Sequence, residues 1–413
     1  MQSFLKMSYR ILKITSFYKD FLSQIYNNHP ELELKSYSAQ YQFLMDQKYA
    51  WSDFFKVHIE KLGVEVIEIV HNADYLQLAW QKENHVNDKN SILYEQIKLY
   101  KPDVLFFQDI KSFSGDFIKN IRNSFPFVKL IFGHCCSPYS ALDLDNYQSY
   151  NFILTCLDGF KSDFEKIGIK SYKLDHAFES SILDLVQTDN HFPKKDFIFI
   201  GSFVSGSDFH DNRFQYLEKL LEENIQISIY GNIIIDSPLQ LFTKQSAFKV
   251  SRILDRIGLN SINQKIIPLK KVSTLKQMPK RVQISPLLRK SMVNETHYGI
   301  NMYKLLSKAK IGLNIQAGVS GDYAVNMRLF ETTGVGALLL TDYKKNIKDF
   351  FEPDYEIVTY NSVDECIEKS KWLFENPDKA EEIARAGQKR TLKDHALKDR
   401  FYKIHEIILE NLK

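Results

Sequence analysis

The chain has little of what would assign it to a class at once. Four cysteines occur in 413 residues, two of them adjacent at Cys135 and Cys136. They show neither zinc-ligand spacing nor a disulfide framework, so a reducing compartment is the expectation. No stretch approaches the roughly 18 consecutive apolar residues of a membrane span. The start, MQSFLKMSYRILKITSFYKD, holds no uninterrupted apolar segment, so no signal peptide is expected. Neither sign of charge dominates, and a formal net charge of +3 is too small to argue for a nucleic-acid partner. Short-period repeats and low-complexity segments are missing, as is a complete G-x-G-x-x-G fingerprint. What remains is a globular protein of two or three domains, expected in the cytoplasm.

Strand-like and helix-like segments alternate in the first half. Arg10–Ser16, Val64–Val70, Asp103–Gln108, Val128–Gly133, Asn151–Cys156 and Ser171–Leu174 read as strands with helical connections. That alternation implies a parallel sheet covered on both faces. The polar segment 184–195, with Pro193, reads as a linker, and the pattern then restarts. Phe197–Gly201, Ile225–Gly231, Ile311–Ile315, Ala337–Thr341 and Glu356–Tyr360 are the second set of strands. The expected division is an N-terminal Rossmann-like domain over 1–183, a linker over 184–195 and a second Rossmann-like domain over 196–395. A last helix over 396–413 is expected to pack back on the first domain. Two such halves make a cleft, and ligands in such sheets bind outside the C-terminal strand ends.

The most informative stretch is Asn326–Asp342, NMRLFETTGVGALLLTD. Arg328 and Glu331 are three apart and share one face of a helix. Gly334 and Gly336 stop that helix, and Ala337–Thr341 is a buried strand. The glycine-containing loop Gly318–Asp322 precedes it and would present backbone N–H groups to an anion such as a diphosphate. Other polar groups sit at strand ends. Gly201 and Ser202, followed by His210 and Arg213, could meet a phosphate. Gln108, Asp109 and His134 occupy the corresponding edge of the first domain. A lone histidine such as His134 or His176 is more often structural than catalytic. Lys265–Lys290 holds eight Lys or Arg and no acidic residue. It is either a solvated connection interrupted by Pro268, Pro279 and Pro286, or a basic rim for an anionic membrane or lipid-linked acceptor.

Phe197–Gly201, the helix starting near Arg213, IYG at Ile229–Gly231 and KIGLNI at Lys310–Ile315 form an ordered set with NMRLFETTGVGALLLTD and YEIVTYNSVDECIEK. In order and spacing this set resembles the C-terminal domain of the CgeB-like glycosyltransferases, over about Phe197–Arg400. WSDF at Trp51–Phe54, LGVEVIEIV and LQLAW look like the matching acceptor-side domain. The resemblance implies an α/β GT-B fold, two Rossmann-like domains facing each other across a cleft, and a hexosyltransferase-like enzyme. In the wider group two glutamates, with seven residues between them, flank the glycine loop. Glu331 matches the second, which holds the nucleotide ribose, whereas the first falls at Tyr323, beside Asp322. The same resemblance places Ser285 and Leu287 at the edge of the base pocket and Tyr303 on the helix that follows.

The implied reaction moves a sugar from a nucleotide-sugar donor to a glycan or lipid-linked glycan, as in surface polysaccharide biosynthesis. A carboxylate accepting from two vicinal hydroxyls suits the ribose, and Arg328 offers fixed charge to the diphosphate. No convincing D-x-D occurs, such enzymes resemble metal-independent catalysts, and neither metal nor other cofactor is expected. If the reaction inverts, His134 or Asp109 is the expected base. If it retains, the departing phosphate serves. A sugar-nucleotide epimerase or hydrolase of the same fold, or a non-catalytic nucleotide-sugar-binding protein, remain open alternatives.

Overall fold

The computed structural model describes residues 9–187, 192–201, 203–204, 211–231, 233–234, 236–259, 262–263, 266–273, 275, 277–281, 284–293, 295–316 and 321–413. Two six-stranded sheets, both parallel, account for the architecture. The first contains β1 (Arg10–Thr15), β2 (Glu65–Val70), β3 (Val104–Phe107), β4 (Leu130–His134), β5 (Phe152–Thr155) and β6 (Ser171–Lys173) in the order β2-β1-β3-β4-β5-β6. Its central strands are buried at every position, VLFF of β3 and FILT of β5, as a sheet covered on both faces requires. The register runs Ile11↔Val66, Ile11↔Val104, Phe106↔Phe132 and Phe132↔Phe152. It stacks Phe106 on Phe132 and Phe132 on Phe152, with ring centroids 4.5 and 4.6 Å apart.

The second sheet is built from β7 (Lys195–Ile200), β9 (Ser228–Tyr230), β11 (Met292–Val293), β12 (Ala309–Asn314), β13 (Leu338–Asp342) and β14 (Val358–Tyr360). Its order is β11-β9-β7-β12-β13-β14, and a small pair, β8 (Phe203–Val204) with β10 (Ile233–Ile234), lies apart. The expected strands all form; β11 was not anticipated, being two residues long. The closing helices Val363–Glu375, Pro377–Asp394 and Leu397–Asn411 follow. The last of them crosses to the first domain. Tyr9 pairs with His405 at 2.8 Å, Arg400 Nε donates to the Asp175 carbonyl at 3.3 Å, and Phe401 packs on Trp51 and Phe55.

Two sequence expectations change. The segment expected as linker starts as a helix, Ile182–Gln187, because Ile182 and Val186 are four apart and bury one face against the helix Gly299–Ser307. The basic segment 265–290 carries two short helices, Ile267–Ser273 and, at its end, Pro286–Ser291. Pro286 sits in the first turn, where its missing N–H and fixed φ are tolerated, so it starts a helix instead of breaking one. Before it runs the 19-residue helix Pro238–Arg256, capped reciprocally by Ser237 and Gln240. That capping box, S-P-L-Q, was a readable signal.

One charge pair lies inside the first domain. Lys13, on β1, is ion-paired to Glu68, on β2, at 2.8 Å, and both side chains are essentially inaccessible. Burial pushes the Glu68 carboxyl up and the neighbouring ammonium opposes the rise. Lys13 also donates to the Ser52 carbonyl at 3.3 Å and stands over the rings of Trp51 and Phe55. Removing one partner strands the other charge, so Glu68→Ala is expected to lose about 3–5 kcal/mol. The double variant Lys13→Met/Glu68→Leu should recover most of that loss, read from urea midpoints at constant slope. Equal losses in both variants would remove the stranded-charge account.

Candidate functional site

The C-terminal ends of β1, β7 and β9 converge on a cavity of about 370 Å³ between the two sheets. From the first domain come Ser16, just past β1, and Tyr18 and Asp20 at the start of the helix Lys19–Asn28. The loop carrying Lys48, Tyr49 and Ala50 completes that wall. Its backbone is unusual: Lys48, Ala50 and Ser52 have φ of 51°, 53° and 40°. Three non-glycine residues in the left-handed region within five positions are strain of the kind found at ligand sites. Ser52 holds the loop by donating to the Met45 carbonyl at 2.6 Å.

The floor is glycine. Gly201 follows β7 and Gly231 follows β9, and the Gly201 N–H donates to the Tyr230 carbonyl at 3.1 Å. Gly231 has φ of +151°, and a Cβ there would run into the Gly201 carbonyl oxygen. Only glycine lets the two strand ends approach this closely, which leaves backbone accessible to a ligand.

The second wall carries the charge. Arg328 and Glu331, both on the helix Arg328–Gly334, form an ion pair at 2.9 Å facing the cavity. The Tyr303 hydroxyl donates to Glu331 Oε1 at 3.4 Å; burial and then the carboxylate push its ionisation well up, so it stays a donor. Glu331 is 8 % exposed, and Arg328 also lies on Met302 Sδ. Asn326 accepts from the Arg328 N–H at 2.8 Å and donates to Asn314 at 2.8 Å, fixing the start of that helix. Thr296 also lines the cavity, and its buried hydroxyl has no hydrogen-bond partner among the described residues. His297 beside it is pushed down by burial and stays neutral at pH 7, with Glu295 acting in the opposite sense.

Of the residues expected at the donor site, Gly201, Tyr303, Asn326, Arg328 and Glu331 meet at this cavity. Arg213 stands behind it: its Nε donates to the Ile315 carbonyl at 3.2 Å and its guanidinium lies over Phe199. Burial, with Arg328 nearby, pushes it down to about 10, still a cation at neutral pH. Ser202, His210 and Gly318 lie outside the described residues. Four others are not among the described lining residues. Ser285 caps the helix Pro286–Ser291, and its own N–H goes to Glu218 at 2.8 Å. Leu287 is exposed on that helix, Asp322 is ion-paired to Lys345 on the surface at 2.6 Å, and Tyr323 is 37 % exposed.

Neither expected base faces the cavity. Asp109 accepts from Ser16 at 2.8 Å, from Ser112 at 2.7 Å and from the Lys111 N–H at 3.3 Å, so its oxygens are committed to a turn. Ser16, which does line the cavity, lies 2.8 Å from His71 Nε2 as well. His134 is turned toward Trp51, its ring centroid 5.3 Å away, and toward Cys136 Sγ at 3.2 Å. Burial, with His176 nearby, pushes its imidazolium down to about 3. The cysteines also depart from expectation. Cys136 and Cys156 are bonded, because β4 and β5 end side by side and bring their Cα atoms to 5.6 Å. The Asp20 carboxylate and the strained loop at 48–52 were not foreseen; their only sequence signal is that they follow β1 and precede WSDF.

Residues 274–406 match a family described as glycosyl transferase-like. A search of curated proteins finds no match to the chain. Solved structures that resemble it over nearly the full length include HepE from Anabaena in complex with UDP and glucose, at 12 % identity. The TM-score is 0.50 and the match covers 97 % of this chain and 100 % of that one. A glycosyltransferase from Rickettsia africae is 12 % identical with a TM-score of 0.51, covering 98 % and 99 %. Sucrose-phosphate synthase from Thermosynechococcus elongatus is 7 % identical with a TM-score of 0.54, covering 97 % and 98 %. The fold is GT-B, and together with the C-terminal family match it supports a glycosyltransferase.

Proposed function

We propose that the chain is a CgeB-like glycosyltransferase that moves a hexosyl group from a nucleotide-sugar to a hydroxyl of a glycan or lipid-linked glycan in surface polysaccharide biosynthesis. The observation that carries this reading is the Glu331–Arg328–Tyr303 arrangement facing a glycine-floored cavity between two sheets. Glu331 accepts from the vicinal hydroxyls of the ribose. Arg328 swings or shares its charge onto the diphosphate, with the cationic Arg213 behind it. Gly201 and Gly231 admit the phosphates close to backbone. As the bond from the anomeric carbon to the phosphate oxygen breaks and the bond to the acceptor oxygen forms, negative charge grows on the leaving diphosphate. Two guanidinium groups stabilise it there, and the proposed transfer step uses no metal. The acceptor proton goes to Asp20 on the opposite wall if the reaction inverts, and to the departing phosphate if it retains.

The location proposed is the cytoplasmic face of a membrane. No helix among the described residues is long and apolar enough to cross one. The helix Pro238–Arg256 instead exposes Leu239 (75 %) and Phe242 (66 %), with Ile253 and, beyond it, Ile267 also exposed. Lys270, Lys271, Lys280 and Arg281 lie in the segment that follows. Apolar side chains beside basic ones suit an anionic lipid surface.

The first experiment is a thermal-shift series with UDP, GDP, dTDP, CDP and CMP, beginning with UDP, the nucleotide bound by HepE. At 100 times its dissociation constant the right nucleotide should stabilise the fold by about 2.7 kcal/mol. Glu331→Ala should abolish that shift while folding normally; no shift from any nucleotide would overturn the reading. With the donor known and inversion established from the product's anomeric configuration, Asp20→Asn should keep the nucleotide shift and lose transfer about 10²–10⁴-fold. Undiminished transfer would take the base role from Asp20, and donor consumption without acceptor would point to a hydrolase. Anionic vesicles should bind the protein at low salt and release it as salt rises, with Leu239→Ser/Phe242→Ser binding weakly. Absence of binding at low salt would leave this face simply solvated.

A further inference from the structure

Three neighbouring strands of the first sheet end at one cluster of sulfur and nitrogen atoms. His134 is the last residue of β4 and Cys136 lies two beyond it. Cys156 directly follows β5, and His176 lies three residues past β6. The parallel register, His134↔Leu154 and Thr155↔Lys173, sets these ends side by side. Cys136 Sγ, Cys156 Sγ and a ring nitrogen of His176 all lie within 4.8 Å of one another. His134 Nε2 is 3.2 Å from Cys136 Sγ, and the two imidazole rings are 6.5 Å apart, nearly perpendicular. We propose that in the reduced protein His134, Cys136, Cys156 and His176 hold one zinc ion, or another divalent ion that prefers thiolate and imidazole, in a tetrahedral Cys₂His₂ site.

The chemistry of the four groups selects such an ion. Two thiolates and two imidazoles are a closed structural zinc set, and oxygen-preferring cations are excluded by the absence of a carboxylate among them. Two thiolates and a divalent cation carry no net charge together, so the site can be buried where either thiolate alone would be costly. An outer hydrogen bond is already in place: the Cys156 N–H donates to Cys136 Sγ at 2.9 Å, the type of contact that holds a thiolate ligand. Trp51 packs on His134 and limits its rotation.

The disulfide and the ion are alternatives at one place. A phosphine reductant supplies two electrons and becomes the phosphine oxide, with water giving the oxygen and the two protons, and so opens the Cys136–Cys156 bond into two thiols. Zinc binding then releases both protons to solvent. The ion would clamp the ends of β4 and β5 to the segment leaving β6. That segment continues through the Phe178↔Ala396 bridge, and Arg400 of the last helix grips it at the Asp175 carbonyl. The site therefore reinforces the crossing between domains, and none of its four residues is among those lining the cavity.

The test is to prepare the full chain with a phosphine reductant and without chelator, then measure metal per chain and the spectrum after cobalt(II) substitution. One equivalent of zinc is expected, with a thiolate-to-cobalt charge-transfer band and tetrahedral d–d bands. Cys136→Ser and Cys156→Ser should lose both, His176→Ala should bind about tenfold or more weakly, and Cys366→Ser should bind as wild type. A chelator should lower the melting temperature of wild type and leave Cys156→Ser unmoved. Should the variants fail to fold, the cobalt spectrum and chelator response of wild type decide alone. Reduced, folded protein that takes up neither zinc nor cobalt overturns the proposal, as does bound cobalt without a thiolate band.

Discussion

The backbone hydrogen bond from the Ile300 N–H to the Gln47 carbonyl, at 2.7 Å, seats the second domain against the cavity wall of the first. The residue before it, Gly299, has φ of +52°, and a Cβ there would collide with the same carbonyl. Glycine is needed both for the backbone geometry and for the close approach. Around this contact Tyr298 packs edge-on against Phe21 and Tyr49, and Gln24 donates to the Thr296 carbonyl at 3.1 Å. The helix Gly299–Ser307 thus starts on the first domain and carries Tyr303 to Glu331 in the second. The cavity walls are spaced by this helix, so its seat on Gln47 sets the distance between Asp20 and the Arg328–Glu331 pair.

That pair is held ready for exchange. The two side chains are three apart on a seven-residue helix whose body is buried, so the backbone beneath them has little freedom. In the unliganded protein each satisfies the other, which avoids leaving a charge in a half-buried wall without a partner. A ligand offering vicinal hydroxyls to the carboxylate and an anion to the guanidinium replaces one charge-assisted contact by two. On the proposed reading, the pair stores no large penalty before binding and turns both members toward one ligand.

The part of this arrangement legible in the sequence is the part encoded locally. Arg328 and Glu331 share a helix face by spacing alone, and the apolar runs of the strands give the sheets because both faces must be covered. Tyr303 and Gly201 could be placed by their positions on the next helix and strand end. Tyr323, where the enzymes the sequence resembles carry a glutamate, stands on the surface outside the described cavity lining. What the sequence does not show is proximity across long separations. Gln47 with Gly299, and Cys136 with Cys156, depend on how elements pack, and no local propensity marks them. The left-handed residues Lys48, Ala50 and Ser52 are invisible for the opposite reason: their types predict ordinary backbone, and tertiary packing overrides the prediction.

Asp109, His134 and Asp20 show the same limit: position along the chain does not tell which of them lines the cavity. Sequence position at a strand end selects Asp109 and His134, since strand ends are where ligands bind. Yet a strand end offers its side chains to both the cleft and its own flanking turns. Asp109 is consumed by the turn that follows β3, accepting from two hydroxyls and an N–H, and His134 is consumed by the cluster between β4 and β6. Asp20 sits one residue into a helix, where a carboxylate in the first turn is favoured by the helix dipole and needs no capping contact of its own. It is thereby left to the cavity. Position along the chain picks out Asp109 and His134, whereas the fold puts Asp20 on the cavity lining and ties the other two to neighbouring side chains.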